Sequence, residues 1–116
     1  MTEIYHNPRC SKSRQTLALL EQNNIQANII DYLTQPPDVA TLTTITQQLD
    51  ITPRELLRKG EAIYKELGLK DPSLSDAELL QAMSTHPKLI ERPIVVHNGH
   101  ARIGRPPEAV LELFTS

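Results

Sequence analysis

This sequence predicts an α/β fold, a β-α-β part and a β-β-α part interrupted by an all-helical insert, and three features carry that prediction. Two β-prone runs, Thr2 to His6 and Ile25 to Tyr32, enclose a helical stretch from Ser11 to about Asn23. The long middle region places its apolar residues at helical spacing. Two more β-prone runs, Ile94 to His97 and His100 to Gly104, are joined by Asn98-Gly99, a dipeptide suited to two-residue hairpins because both residues tolerate positive φ.

The elements follow in order. Thr2 to His6 alternates loosely, and Asn7-Pro8-Arg9 breaks the strand. In the first helix Leu17 and Leu20 share a face, and Asn23-Asn24 closes it. Ile25 to Tyr32 is the second strand, and a strand, helix and strand so closely spaced form a parallel βαβ unit with a right-handed crossover. Gln35-Pro36-Pro37-Asp38 punctuates the chain, after which Leu42, Ile45 and Leu49 recur as in a helix. Thr52-Pro53 starts another helix, with Thr52 as cap and Pro53 at the first helical position. Leu56, Leu57, Ile63, Tyr64 and Leu67 fall in short helical pieces around Gly60 and Gly68. Ser75-Asp76-Ala77-Glu78 is a capping box opening a helix through Leu79, Leu80 and Met83, which His86-Pro87 ends. After the hairpin, Pro106 to Phe114 reads as a closing helix with Val110, Leu111 and Phe114 on one face. The order β-α-β, helices, β-β-α is a thioredoxin-like topology. It predicts one domain over residues 1–116, with the inserted helical lobe at about residues 38–90.

Composition narrows the function. At 116 residues, 39% hydrophobic and 22% charged, the chain has the make-up of one globular domain. A formal charge of −2 gives no general attraction to nucleic-acid backbones or acidic membranes. Three Tyr, one Phe and no Trp leave no aromatic platform for single-stranded nucleic acid. Neither nucleic acid nor membrane is expected as a partner, and any anion site must be local. The apolar runs are far shorter than a bilayer span, and MTEIYHNPRC lacks the apolar core of a secretory signal, so a cytoplasmic address is expected. The single Cys excludes an internal disulfide. Redox work at Cys10 therefore needs a second molecule, such as glutathione or another protein.

Cys10 falls where the first strand ends and the first helix begins. Unpaired N–H groups and the positive end of the helix dipole gather there and favour thiolate, the reactive form. Arg9, Lys12 and Arg14 add positive charge within one turn, and His6 could donate a hydrogen bond to the sulfur. The alternatives are a Cys10 that is a small buried hydrophobe, a His6 that is a plain strand residue, and cations that form a solvated face. Ser13 occupies the position where a dithiol oxidoreductase needs its second cysteine. The interval from Cys10 to Arg14 is also too short for a Cys-x5-Arg oxyanion loop. A single-thiol mechanism remains.

Tyr5-His6-Asn7-Pro8-Arg9-Cys10-Ser11-Lys12-Ser13-Arg14, Leu56-Leu57-Arg58-Lys59, His86-Pro87, Glu91-Arg92-Pro93-Ile94-Val95-Val96 and Ile103-Gly104-Arg105-Pro106 together resemble the glutaredoxin-linked arsenate reductase family, essentially end to end. Two features depart from its best-known members: Ser11-Lys12 stands where they have Gly-Thr, and the chain ends soon after the last helix. The resemblance implies a thioredoxin-like fold with Pro93 as a cis proline facing the active site. It implies Cys10 as catalytic cysteine, His6 as the histidine tuning it, and Arg58, Arg92 and Arg105 as the arginines binding the oxyanion. Arsenate, glutathione and glutaredoxin would be the partners, with glutathione a co-substrate and no bound cofactor. A monomer is expected.

The chemistry suits the residues. Arsenate is a tetrahedral dianion near neutral pH, and guanidinium forks bind such oxygens in pairs. The hairpin reverses the chain between Arg92 and Arg105, so both can lie at one edge of the sheet. Arg58 would reach in from the helical lobe, making the site an interlobe cleft. Apart from the resemblance, each arginine reads equally as a surface or ion-paired residue, Arg58 most readily, and Arg54 and Arg102 are read as surface. There is no histidine/cysteine ligand cluster and no Gly-rich phosphate loop, so no metal is expected. His97 and His100, beside the hairpin turn, read as solvated. Two other functions fit the same fold: a regulator docking on RNA polymerase, and a glutathione-dependent thiol transferase.

Overall fold

Four short strands build the sheet: β1 (Thr2–His6), β2 (Asn28–Asp31), β3 (Ile94–His97) and β4 (His100–Ile103), in the order β2-β1-β3-β4. β1 runs parallel to β2 and antiparallel to β3, and β3 pairs antiparallel with β4. Helix α1 (Ser11–Gln22) connects β1 to β2. The computed structural model describes residues 1–115. They gather into two units: residues 1–35 with 92–115, which hold the sheet, and Pro36–Glu91. The order of elements is the thioredoxin-like order expected from the sequence.

Alternation along the strands sets the core of the sheet unit. Ile4 faces Val95 across β1 and β3, and both pack with Leu20 of α1 and with Val110; all four are shut off from solvent. Leu17, Ile25, Ala27, Leu113 and Phe114 surround that cluster. At about 25 cal/mol per Å² of apolar surface, each such side chain contributes roughly 1.5–3 kcal/mol.

Two boundaries differ from expectation for visible reasons. The second strand does not begin at Ile25, because the Ile25 N–H turns back to the Leu20 carbonyl at 2.9 Å while Asn24 takes φ 59°. This Schellman-type closure satisfies the last carbonyls of α1 and leaves only Asn28–Asp31 to pair. The closing segment is a 3₁₀ helix over Pro107–Phe114 rather than an α-helix. A period of three places Pro107, Val110 and Leu113 on one face; the expected Val110 and Phe114 pack on the core, and Leu113 joins them. The hairpin turn forms as expected, with Asn98 at φ 49° and Gly99 at φ 83°. His97 is not a solvated turn residue. It stacks on Phe114 with ring centroids 4.5 Å apart, and its Nδ1 lies 2.8 Å from Thr2 Oγ1.

The second unit contains α2 (Val39–Leu49), α3 (Pro53–Leu56), α4 (Ala62–Glu66), α5 (Asp76–Thr85) and a 3₁₀ turn at Pro87–Leu89. Both expected start signals are realised: Thr52 with Glu55 and Ser75 with Glu78 close reciprocal capping boxes. Leu42, Ile45, Leu56, Leu79, Met83 and Leu89 are buried. The unit is not wholly helical, since Leu57 and Ile90 form an antiparallel bridge. The Arg58 N–H donates to the Leu89 carbonyl at 2.7 Å, and the Glu91 N–H to the Leu56 carbonyl at 3.0 Å. Arg54 is more than a surface residue, because its guanidinium donates to the carbonyls of Leu69 (2.9 Å) and Asp71 (2.8 Å) and secures the turn after α4. Among the described residues, no helix is long and apolar enough to cross a membrane.

Candidate active site

The junction between β1 and α1 is held by bonds local to it. Asn7 folds an Asx turn, its Oδ1 accepting the Arg9 N–H at 3.0 Å while its carbonyl accepts the Cys10 N–H at 3.0 Å. Arg14 reaches back from α1 and donates to the Pro8 carbonyl at 2.9 Å, strapping the loop while staying exposed, as expected for a residue of a solvated face. Cys10 then occupies the N-cap position in extended conformation, φ −95° and ψ 124°. No oxygen-bearing side chain takes that place, and the open N–H groups of the first turn are left to the sulfur.

Cys10 is largely covered, with 8% of its surface exposed, so the turn is less open than a strand-to-helix junction suggests. It is nevertheless not sealed among apolar groups. Arg105 Nη2 donates to the Cys10 sulfur at 3.8 Å, and Arg105 Nε donates to the Arg92 carbonyl at 2.8 Å. Burial, the largest single influence, pushes the Cys10 thiol up. The Ser13 N–H, the hydrogen bond and charge of Arg92, and the Lys12 N–H together outweigh it and hold the thiol below its ordinary value.

The reach of Arg92 and Arg105 to one sulfur follows from the hairpin, because Ile94 of β3 pairs with Ile103 of β4 and the two arginines leave the same end. Both Arg-Pro bonds, Arg92–Pro93 and Arg105–Pro106, are cis; the family resemblance implies this only at Pro93. Gly104 makes the close approach there. Its N–H donates to the Pro93 carbonyl at 2.9 Å, and a Cβ at this position would stand 2.8 Å from Pro93 Cγ and collide with Thr16 Oγ1.

His6 is buried at the end of β1, but the expected direct bond to the sulfur is not the one its Nδ1 makes. Nδ1 lies 2.7 Å from Ser13 Oγ. Burial lowers the His6 pKa most; Asp31, its register partner on β2, opposes this, and Arg14 adds to it. The imidazole is therefore held below its ordinary value of 6.5. Arg58 belongs to the Pro36–Glu91 unit. There its Nε lies 3.6 Å from Glu91 Oε1 and its Nη1 3.9 Å from Glu61 Oε2.

The structure thus brings Cys10, Arg92 and Arg105 together and sets His6 one residue away through Ser13. Sequence reasoning missed Ser13 as a contact; the signal available was its position three residues after the cysteine. No three histidine, cysteine or acidic side chains among the described residues are grouped so as to hold a metal ion.

Residues 5–113 match the model of the ArsC family. The chain belongs to the ArsC family. It is 57% identical over 112 residues to an uncharacterized Escherichia coli protein, YfgD, covering 96% of this chain and 94% of that one. An arsenate reductase of Haemophilus influenzae is 51% identical over 112 residues, with 96% of this chain and 97% of that one covered. In three dimensions an arsenate reductase of Vibrio cholerae superposes with a TM-score of 0.95 at 57% identity, over 97% of this chain and 96% of that one. The matched span of the ArsC model takes in His6, Cys10, Ser13, Arg58, Arg92 and Arg105.

Proposed function

We propose that this chain is an arsenate reductase that works through the single thiol of Cys10, with glutathione as co-substrate and glutaredoxin as the resolving partner. The observation that carries the reading is a thiol held below its ordinary pKa beside two guanidinium groups, Arg92 and Arg105. The names borne by its relatives support the substrate.

The Cys10 thiolate attacks arsenic, forming an S–As bond while one arsenate oxygen leaves as water. Arg92 and Arg105 stabilise the charge on the remaining oxygens. A glutathione thiolate then attacks the Cys10 sulfur. An S–S bond forms, the S–As bond breaks with its electron pair left on arsenic, and arsenite departs. The two electrons that reduce arsenic(V) to arsenic(III) come from the two sulfurs, which end as a Cys10–glutathione mixed disulfide. A glutaredoxin thiolate takes the glutathionyl group and regenerates Cys10. Ser13 supplies no second thiol, so the resolving sulfur must come from outside the chain. Arg58 as a third oxyanion ligand rests on the family resemblance, and Arg58→Ala tests it separately.

The test is a coupled assay with arsenate, glutathione, glutaredoxin and a glutathione-recycling system. Arsenate-dependent turnover that is absent in Cys10→Ser is the expected result. No turnover in the wild-type protein, together with efficient turnover of a glutathionylated peptide, would replace this reading with a thiol transferase.

A further inference from the structure

One residue, Ser13, bears on both His6 and Cys10. Its hydroxyl lies 2.7 Å from His6 Nδ1 and accepts the Asn7 N–H at 2.9 Å. Its backbone N–H, in the first turn of the helix that Cys10 caps, helps to lower the pKa of the Cys10 thiol. Ser13 is wholly buried, at 0% exposure, so its hydroxyl proton must be placed within the protein.

These contacts favour one direction for the bond between Ser13 and His6. The Asn7 N–H occupies one lone pair of the Ser13 oxygen, and the hydroxyl proton is then donated to Nδ1 of a neutral imidazole. The ring's own proton lies on Nε2. Protonating His6 would put a hydrogen on Nδ1 and reverse the bond. The hydroxyl would then hold two N–H donors, and its own proton would be left to find another acceptor in a buried site, which is costly. The charged groups around the imidazole come from separate elements. Asp31 on β2 favours the imidazolium and Arg14 on α1 disfavours it, while Arg92 and Arg105 from the β3–β4 side stand at the sulfur.

We infer that Ser13 is a positioning residue of this site: its hydroxyl holds His6 as the Nε2–H tautomer and ties the end of β1 to the first turn of α1, keeping the Ser13 N–H in place for the Cys10 sulfur. His6 thus acts on the thiol through Ser13 rather than by contact. The inference rests on Cys10 being the working thiol, and it adds the residue that links the histidine to it.

Two measurements on the arsenate-free protein decide it. Long-range nitrogen-15 NMR of the wild-type imidazoles should show His6 as the Nε2–H tautomer, titrating below 6.5. In Ser13→Ala the tautomer preference should be lost and the His6 midpoint should move up. Alkylation of Cys10 by iodoacetamide at neutral pH should also slow several-fold, with its pH midpoint raised. An Nδ1–H tautomer in the wild-type protein overturns the inference without any variant. So does a folded Ser13→Ala whose His6 titration and Cys10 alkylation profile match wild type. Because neither measurement uses arsenate, absence of arsenate turnover would remove the proposed function and leave this result standing on its own.

Discussion

Replacing Arg105 by alanine removes the guanidinium whose Nη2 donates to the Cys10 sulfur at 3.8 Å and whose Nε is anchored on the Arg92 carbonyl at 2.8 Å. The loss can be sized from those contacts. A hydrogen bond to a charged group contributes about 1.5–3 kcal/mol. Arg105 is exposed, so solvent screening places its share at the lower end, about 1.5 kcal/mol. That corresponds to about a tenfold fall in kcat/KM for arsenate. Arg105→Lys keeps the charge but loses the planar fork and its anchor on Arg92, so it should recover only part of the loss. The assay is the coupled arsenate turnover, with circular dichroism to show that both variants fold. Wild-type kcat/KM in Arg105→Ala would refute the claim that this guanidinium serves the reacting centre.

Two further outcomes follow from the same geometry. Gly104→Ala drives a Cβ against Pro93 and Thr16, and Thr16 cannot easily yield, because it is fully buried and its hydroxyl donates to the Lys12 carbonyl at 2.8 Å. Overpacking of this kind costs about 1–3 kcal/mol, so calorimetry should show the Tm lowered by several degrees; an unchanged Tm would mean that the strand end relaxes freely. The second outcome concerns pH. Folding lowers the Cys10 pKa, so the unfolded chain keeps that proton to higher pH than the folded one. Stability should therefore rise with pH between the folded-state and ordinary thiol values, and the gain should vanish as pH falls through the folded-state value. Denaturant titrations of wild type against Cys10→Ser should show the difference growing with pH across that window, and a constant difference would contradict it.

Much of this arrangement was legible in residue order. The hairpin dipeptide Asn98-Gly99, the capping boxes at Thr52 and Ser75 and the Pro-marked breaks act through neighbouring residues, so they survive reading without coordinates. What escaped depends on contacts between distant or competing groups. The shortened β2 reflects the Ile25 N–H choosing Leu20 over a strand partner. The bridge between Leu57 and Ile90 pairs residues 33 apart, which no periodicity reveals. At the site, the position of Cys10 and the placement of Arg92 and Arg105 at one strand end could be argued from the turn and the hairpin. The bond between Ser13 and His6 could not, since a serine inside a helix has many hydroxyl partners open to it.

The central claim is that the Cys10 sulfur itself takes part in the reduction. Intact-mass analysis after incubating the protein with arsenate and glutathione, without glutaredoxin, tests it most directly. The account predicts one glutathionyl group on Cys10, formed only when arsenate is present and released when glutaredoxin is added. Arsenite appearing while Cys10 stays unmodified, or the same adduct forming equally without arsenate, would contradict it.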